Sequence, residues 1–387
     1  VSANTSELRN IDLASCVNLR AFEQAAAGRL ERSAWDYFRS GAWDEVTLRE
    51  NEAAWARLRI LHRVLVDVSQ RNTATTVLGI ASTSPVWIAP TAMQRMCSPE
   101  GECDTARAAA ATGTPMVLSS LATRTVEDVC DAALDAHGAA AQDARSDESA
   151  RSEPSAPVLM QIYVSKDRGF TRELVARCER AGCRGFVLTV DTPVWGVRER
   201  DITNAFRVPE GMCIENLVRP GVPSGHTGRG MGESLGWTID DALSWKDLEA
   251  LCKWTDLPVL VKGVCRGDDA LRAIDSGARG VIVSNHGGRQ LDGAPPTAES
   301  LPSVADAVDG RAAVLVDGGI RRGVDVVRAL ALGADAVLIG RPILWGLATA
   351  GEPGVRRVLE LLRHEVDIAM ALAGCPDVES ITRDLVC

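Results

Sequence analysis

Tyrosine is nearly absent from this chain: there are two in 387 residues, with all aromatics together at 4%. Tyr37 and Tyr163 therefore stand out as positions to follow. No apolar stretch approaches the roughly 18–20 residues that cross a bilayer, so no membrane segment is expected. The N-terminus, Val1-Ser-Ala-Asn-Thr-Ser-Glu7, lacks the basic and apolar regions of a secretory signal, and its opening valine points to a trimmed start. No Cys-x-x-Cys pair occurs among eleven cysteines, and an odd count in a long chain suits no disulfide scaffold. Reduced thiols in an intracellular compartment are the expectation, and no metal site is expected. A formal net charge of −10 argues against nucleic acid as a partner and leaves any anionic substrate to local arginines. The chain ends Arg383-Asp-Leu-Val-Cys387, without a Ser-Lys-Leu peroxisomal address.

What is present is rhythm. Hydrophobic content of 46% allows a sizeable core. Residues 21–56 are rich in helix formers, with Ser40-Gly41 as a break. Eight short apolar runs follow, at 86–90, 115–120, 158–164, 185–193, 257–263, 280–286, 313–319 and 336–342, each ending in small or polar residues. Ala-rich, charged segments with helical spacing lie between most of them, as at 171–181, 268–275 and 323–331. Strand and helix alternating eight times predicts an α/β fold of the TIM type, a parallel (β/α)8 barrel over 76–375 behind an N-terminal helical segment at 1–75. An open doubly wound sheet is the alternative, but it would place a Gly-x-Gly-x-x-Gly turn after an early strand, and none is there. Two stretches break the rhythm. Residues 138–156 read as a low-complexity surface insertion. The Gly- and Pro-rich stretch 209–236 lies after the fourth strand, within an extended, mobile loop expected over 205–240 at the catalytic face.

The densest chemistry is Ser284-Asn-His-Gly-Gly-Arg-Gln-Leu-Asp292, directly after the apolar Gly280-Val-Ile-Val283. His286 can take a proton near neutral pH, and Arg289 can grip a carboxylate with two parallel hydrogen bonds. The intervening glycines let backbone approach a flat ligand. This suits removal of hydrogen from the carbon beside a carboxylate, although a polar loop capping a strand would look the same in isolation. The other strand ends carry Pro90-Thr91-Ala92, Ser119-Ser120, Gln161-Ile-Tyr163, Thr189-Val-Asp191 and Lys262. Any one of these could be a turn residue; together, at successive strand ends, they form a site. Asp317-Gly318-Gly319-Ile320-Arg321 and Gly340-Arg341-Pro342 end the last two runs. Glycine-rich turns offer free backbone N–H groups and the arginines neutralise a dianion, which is a phosphate site where barrel enzymes commonly have one. Lys262 ends a strand of otherwise apolar residues, where an unpaired ammonium would be costly, unless it snorkels to the surface.

The nine-residue run matches the active-site signature of the FMN-dependent 2-hydroxy acid oxidase and dehydrogenase family, and the chain resembles that family from about Trp35 to about Cys375. The resemblance implies FMN as cofactor and oxidation of an L-2-hydroxy acid to the 2-keto acid. It implies that His286 is the base, with Asp191 holding its imidazolium form; helix capping by Asp191 is the other reading. It implies substrate binding by Tyr37, Tyr163, Arg198 and Arg289, with Arg200 close enough to confuse the assignment. Cofactor contacts fall to Pro90, Thr91, Ala92, Ser119, Gln161, Thr189, Lys262, Ser284, Asp317, Gly318, Gly319, Arg321, Gly340 and Arg341, with Lys262 beside the reduced flavin's negative charge. Leu121 stands where glycolate oxidases have tryptophan, which predicts a substrate larger than glycolate. The absence of a haem domain favours dioxygen as acceptor over another oxidant. The resemblance also implies a homotetramer or octamer, in the cytoplasm or peroxisome. A phosphate-binding barrel of the inosinate-dehydrogenase type is a competing enzyme class. It would need a loop cysteine nucleophile, and Cys265 is in no recognisable setting for one.

Overall fold

In the computed structural model the eight apolar runs close into a parallel barrel. The description covers residues 13–143, 158–217 and 240–387. The barrel strands are β3 (Val86–Ile88), β4 (Met116–Leu118), β5 (Val158–Ile162), β6 (Phe186–Thr189), β7 (Val259–Val264), β8 (Gly280–Val283), β9 (Ala313–Val316) and β10 (Ala336–Ile339). They pair in that order, and β10 returns to β3 to close the ring. Each strand is shorter than its apolar run; except in β7, which reaches Val264, this is because the last residues of the run leave the ladder and become site loops.

Alternation along each strand sorts the side chains. Trp87, Val117, Leu159, Val187, Leu260, Ile282, Leu315 and Leu338, one per strand, fill the barrel interior. Their neighbours Ile88, Met116, Met160, Leu188, Val261, Val283, Val316 and Ile339 face outward into the layer packed with helices. Burying each such side chain stabilises the fold by about 2 kcal/mol relative to exposure. A hairpin that the sequence did not suggest, β1 (Thr75–Val77) and β2 (Ile80–Ser82), adds Val77 and Ile80 to the interior cluster and so closes one end of the barrel.

Among the described residues three α-helices precede it: α1 (Leu19–Ala27), α2 (Arg32–Arg39) and α3 (Val46–Arg57). Helix ends at Arg57, well before the expected limit of that segment. Helices α4 (Glu102–Thr112), α5 (Val126–Asp143), α6 (Arg168–Arg180), α7 (Glu199–Thr203), α8 (Trp245–Trp254), α9 (Gly267–Asp275), α10 (Thr297–Val308), α11 (Gly323–Ala331) and α12 (Arg341–Ala373) follow in turn. The stretch read as an insertion from 138 begins as helix, since α5 runs on to Asp143; residues 144–157 lie outside the described part. So do 218–239, most of the expected long loop. Helix α12 kinks at Ala350 and Gly351, just before Pro353. Proline has no N–H to give the carbonyl four residues back. That carbonyl, on Thr349, accepts from the Arg29 guanidinium instead. Among the described residues no helix is long and apolar enough to cross a membrane, and no cluster of ligating side chains could hold a metal ion.

Candidate active site

The strand ends opposite the hairpin surround a cavity that is open on one side. Nearly all the residues singled out from the sequence line it.

One end is the glycine-rich turn after β9. Gly318 and Gly319 have φ of +92° and +83°, and a Cβ on Gly319 would stand 2.3 Å from the Asn51 carbonyl oxygen. Only glycine lets helix α3 pack this closely. Trp55 Nε1 donates to the Gly318 carbonyl at 2.7 Å, fixing α3 to the turn, and the Asn51 and Asn285 amides bond each other at 2.8–2.9 Å, fixing it to the loop after β8. Arg321 and Arg341 converge here from β9 and β10. Arg341 donates to the carbonyls of Phe38, Ser40 and Gly287 at 2.9–3.0 Å. Burial, then Arg289 and Arg321, holds its pKa well below the ordinary arginine value. A cluster of cations that destabilise one another is built to receive an anion.

The middle is made by β3 to β8. Pro90, Thr91 and Ala92 leave β3 along the wall, and Thr91 Oγ1 accepts from Gln94 Nε2 at 3.0 Å. Gln161 Nε2 donates to Thr189 Oγ1 at 3.0 Å while its Oε1 accepts from the Ser120 N–H at 3.1 Å. Ser119 lies beside it, its Oγ accepting the Leu121 N–H at 3.1 Å. This chain of bonds links β4, β5 and β6. Lys262 is 3% exposed, yet its Nζ lies 2.9 Å from Ser284 Oγ and 3.2 Å from Asp317 Oδ2. Burial works against its charge, but Asp317 and Asp191 outweigh that and raise its pKa. It is thus a buried, fully charged ammonium and not a snorkelling one. Ser284 does not line the cavity; it sits one layer behind, its Oγ accepting from both Lys262 and the His286 N–H.

At the far end His286 takes a left-handed φ of +58°, uncommon for a residue with a side chain. Its Nδ1 is 2.9 Å from Asp191 Oδ1. Asp191 also stands behind the cavity wall. Burial raises its pKa, but the His286 charge and hydrogen bond, with Lys262, bring the net shift below the ordinary carboxylate value. An ionised Asp191 can only accept, so Nδ1 carries the proton and Nε2 is the basic nitrogen. Burial lowers the His286 pKa; Asp191 pulls it back up, and Lys262 and Arg289 push it down again, leaving it below the usual histidine value. The imidazole is therefore a neutral base at pH 7.

Arg289 donates to the carbonyls of Tyr37 (2.6 Å) and Ser40 (3.0 Å), and burial, then Arg198, lowers its pKa to about 10. Arg198 and Arg289 lie 5.6 and 5.0 Å from the Tyr37 ring centre, and Phe206 stacks on that ring at 4.6 Å. Burial distinguishes the two neighbouring arginines. Arg198 is 8% exposed and lines the cavity, whereas Arg200 turns away to Asp36 and to Glu45, at 3.0 Å from the latter. Tyr163 and Leu121 complete this wall with Trp195, whose indole lies edge-on to Tyr163 at 6.0 Å. Trp195 and Phe206 were not foreseen; the scarcity of aromatics was a usable signal at Trp195, four residues past Asp191, but nothing in the sequence marked Phe206. Cys265 donates to the Ser284 carbonyl and burial raises its pKa to about 11, which makes a poor nucleophile.

The donor set fits FMN. Asp317 Oδ1 and Arg321 Nε are buried at the cavity without a partner, and the turn after β9 has the backbone conformation of a phosphate cradle. A cavity with clustered arginines at both ends and a buried lysine between them suits a phosphate-bearing cofactor and a small carboxylate, the site of a barrel oxidoreductase. The chain belongs to the FMN-dependent dehydrogenase family, which it matches over residues 26–387. It is 46% identical over 372 residues to an L-lactate oxidase of Nostoc sp., covering 95% of this chain and 97% of that protein. It is 44% identical to a peroxisomal (S)-2-hydroxyacid oxidase of Arabidopsis thaliana, with 96% of each chain covered. A solved mandelate oxidase with (S)-4-hydroxymandelic acid superposes with a TM-score of 0.86 at 38% identity, over 96% of this chain and 98% of that one.

Proposed function

We propose that this protein is an FMN-dependent (S)-2-hydroxy acid oxidase, a single domain across 1–387 that turns an L-2-hydroxy acid into the 2-keto acid and passes the electrons to dioxygen, giving hydrogen peroxide. The observation that carries it is the His286–Asp191 pair sharing one cavity with Arg198, Arg289 and the phosphate turn. Arg198 and Arg289 hold the substrate carboxylate, the charge that their own mutual repulsion lacks. Tyr37 and Tyr163 contact the carboxylate and the 2-hydroxyl. His286 Nε2 accepts a proton from the substrate, and Asp191 stabilises the imidazolium that results. FMN, when bound, accepts the two electrons that leave the α-carbon. Arg321, Arg341 and the N–H groups of 318–319 hold its phosphate. Pro90, Thr91, Ala92, Ser119, Gln161, Thr189 and Gly340 flank it, and Lys262, seated by Ser284 and Asp317, supplies positive charge to it.

Leu121 supports a substrate larger than glycolate, because a leucine leaves room that a tryptophan would fill; a medium-chain or aryl 2-hydroxy acid fits. A homotetramer or octamer is our reading of the assembly, supported by Ile368 and Leu372, which are apolar and exposed beside a groove with Ile60. Cytoplasm or peroxisome is the proposed location, supported by eleven free cysteines. The test is the visible spectrum under argon. Bands near ~370 and ~450 nm should bleach on adding a 2-hydroxy acid and return rapidly in air. Absence of flavin bands after FMN is supplied would sink the proposal, and slow return would remove dioxygen from it.

A further inference from the structure

We infer that Glu52 competes with the cofactor phosphate for Arg321 and thereby sets how tightly FMN is held; this rests on the reading of the turn after β9 as the phosphate site. Glu52 Oε1 lies 2.9 Å from Arg321 Nη2, with Glu52 39% and Arg321 15% exposed. Two features make this more than a surface ion pair, which by itself contributes little. The first is that the carboxylate cannot be carried away by its helix. Trp55 ties α3 to the turn, Asn51 ties it to Asn285 in the loop after β8, and the Gly319 backbone abuts the Asn51 carbonyl. The second is that its charge reaches past Arg321 to Arg341, which lines the same end of the cavity and whose lowered pKa Glu52 partly offsets. A dianionic phosphate seated between Arg321 and Arg341 would meet a fixed negative charge close by, and would share Arg321 with it. Glu52 thus weakens the hold on the phosphate while leaving the ring-binding end of the cavity untouched.

The experiment is a fluorescence-quenching titration of the full chain, stripped of flavin, with FMN and separately with riboflavin, which lacks the phosphate. Glu52→Gln should tighten FMN about five- to tenfold and leave riboflavin unchanged, with the gain shrinking as salt is raised. Glu52→Lys should tighten FMN further. FMN affinity unaltered in both variants, with the wild type still preferring FMN to riboflavin, would overturn the inference and leave the phosphate site standing. An equal gain for both ligands would overturn it too, because the effect would not act through the phosphate. A wild type that binds FMN no better than riboflavin would remove the phosphate reading and this inference with it.

Discussion

Replacing Asp191 with asparagine should make the enzyme slower and, at the same time, more tolerant of acid. The carboxylate accepts from His286 Nδ1 at 2.9 Å, and Thr192 Oγ1 donates to the same oxygen at 3.1 Å. That second bond keeps an amide oxygen turned toward His286, so the tautomer survives and only the charge is lost. Two charges with centres about 4 Å apart interact by about 4 kcal/mol at an effective dielectric of ~20. This energy stabilises the imidazolium, so it limits both effects: at most about 10³-fold in kcat and about 3 units in the His286 pKa. The sign follows from the role of a base. With His286 as the base of the proposed reaction, activity needs it neutral, so kcat/KM should fall as pH drops through its pKa, which already lies below the usual histidine value. Asp191 raises that pKa, so Asp191→Asn lowers it again and moves the acid limb to lower pH. The assay is kcat/KM against pH from about 4 to 9 under constant ionic strength. An acid limb that stays put or moves upward would refute the reasoning, as would a loss far beyond 10³ with no shift, which would signal structural damage.

Leu121→Trp should move preference toward glycolate, read as relative kcat/KM across glycolate, lactate, 2-hydroxyoctanoate and mandelate; a wild type that already prefers glycolate clearly would count against the pocket reading. Arg289→Lys removes the fork that bonds Tyr37 and Ser40, and should raise KM for the hydroxy acid about tenfold or more while FMN stays bound. Gly319→Ala puts a methyl group against the Asn51 carbonyl at a φ of +83°, so urea unfolding should show a loss of about 2 kcal/mol or more. Equal stability there would mean that α3 yields easily, contrary to the packing described.

The barrel was legible because each strand is a buried apolar run, and because the residues closing each run point to a shared rim. The same logic marked His286, Lys262, Tyr163 and the glycine-rich turn after β9, whereas Tyr37, on α2, stood out only because tyrosine is so scarce. The hairpin at Thr75–Ser82 was not legible: three-residue strands are too short to display alternation, and its turn places Leu78 at a left-handed φ that sequence does not advertise. Nor could sequence separate Arg198 from Arg200, two positions apart and equally basic. Their difference comes from Asp36 and Glu45, which approach from another part of the chain and draw Arg200 outward. The opposition of Glu52 and Arg321 has the same origin, since it exists only once α3 meets the turn after β9.

The hold of Arg341 on helix α2 has a consequence in time. Its guanidinium bonds the Phe38 carbonyl across 303 positions of chain, and Arg289 bonds the Tyr37 carbonyl across 252. At a synthesis rate of about 5–20 residues per second, a nascent Phe38 waits about 15–60 s for Arg341 to be made. Phe206, which stacks on Tyr37, is made earlier, but the carbonyls of Tyr37 and Phe38 wait for Arg289 and Arg341. The segment completing the rim is thus made early and secured late, which leaves it open to chaperones and to aggregation while the barrel is being synthesised.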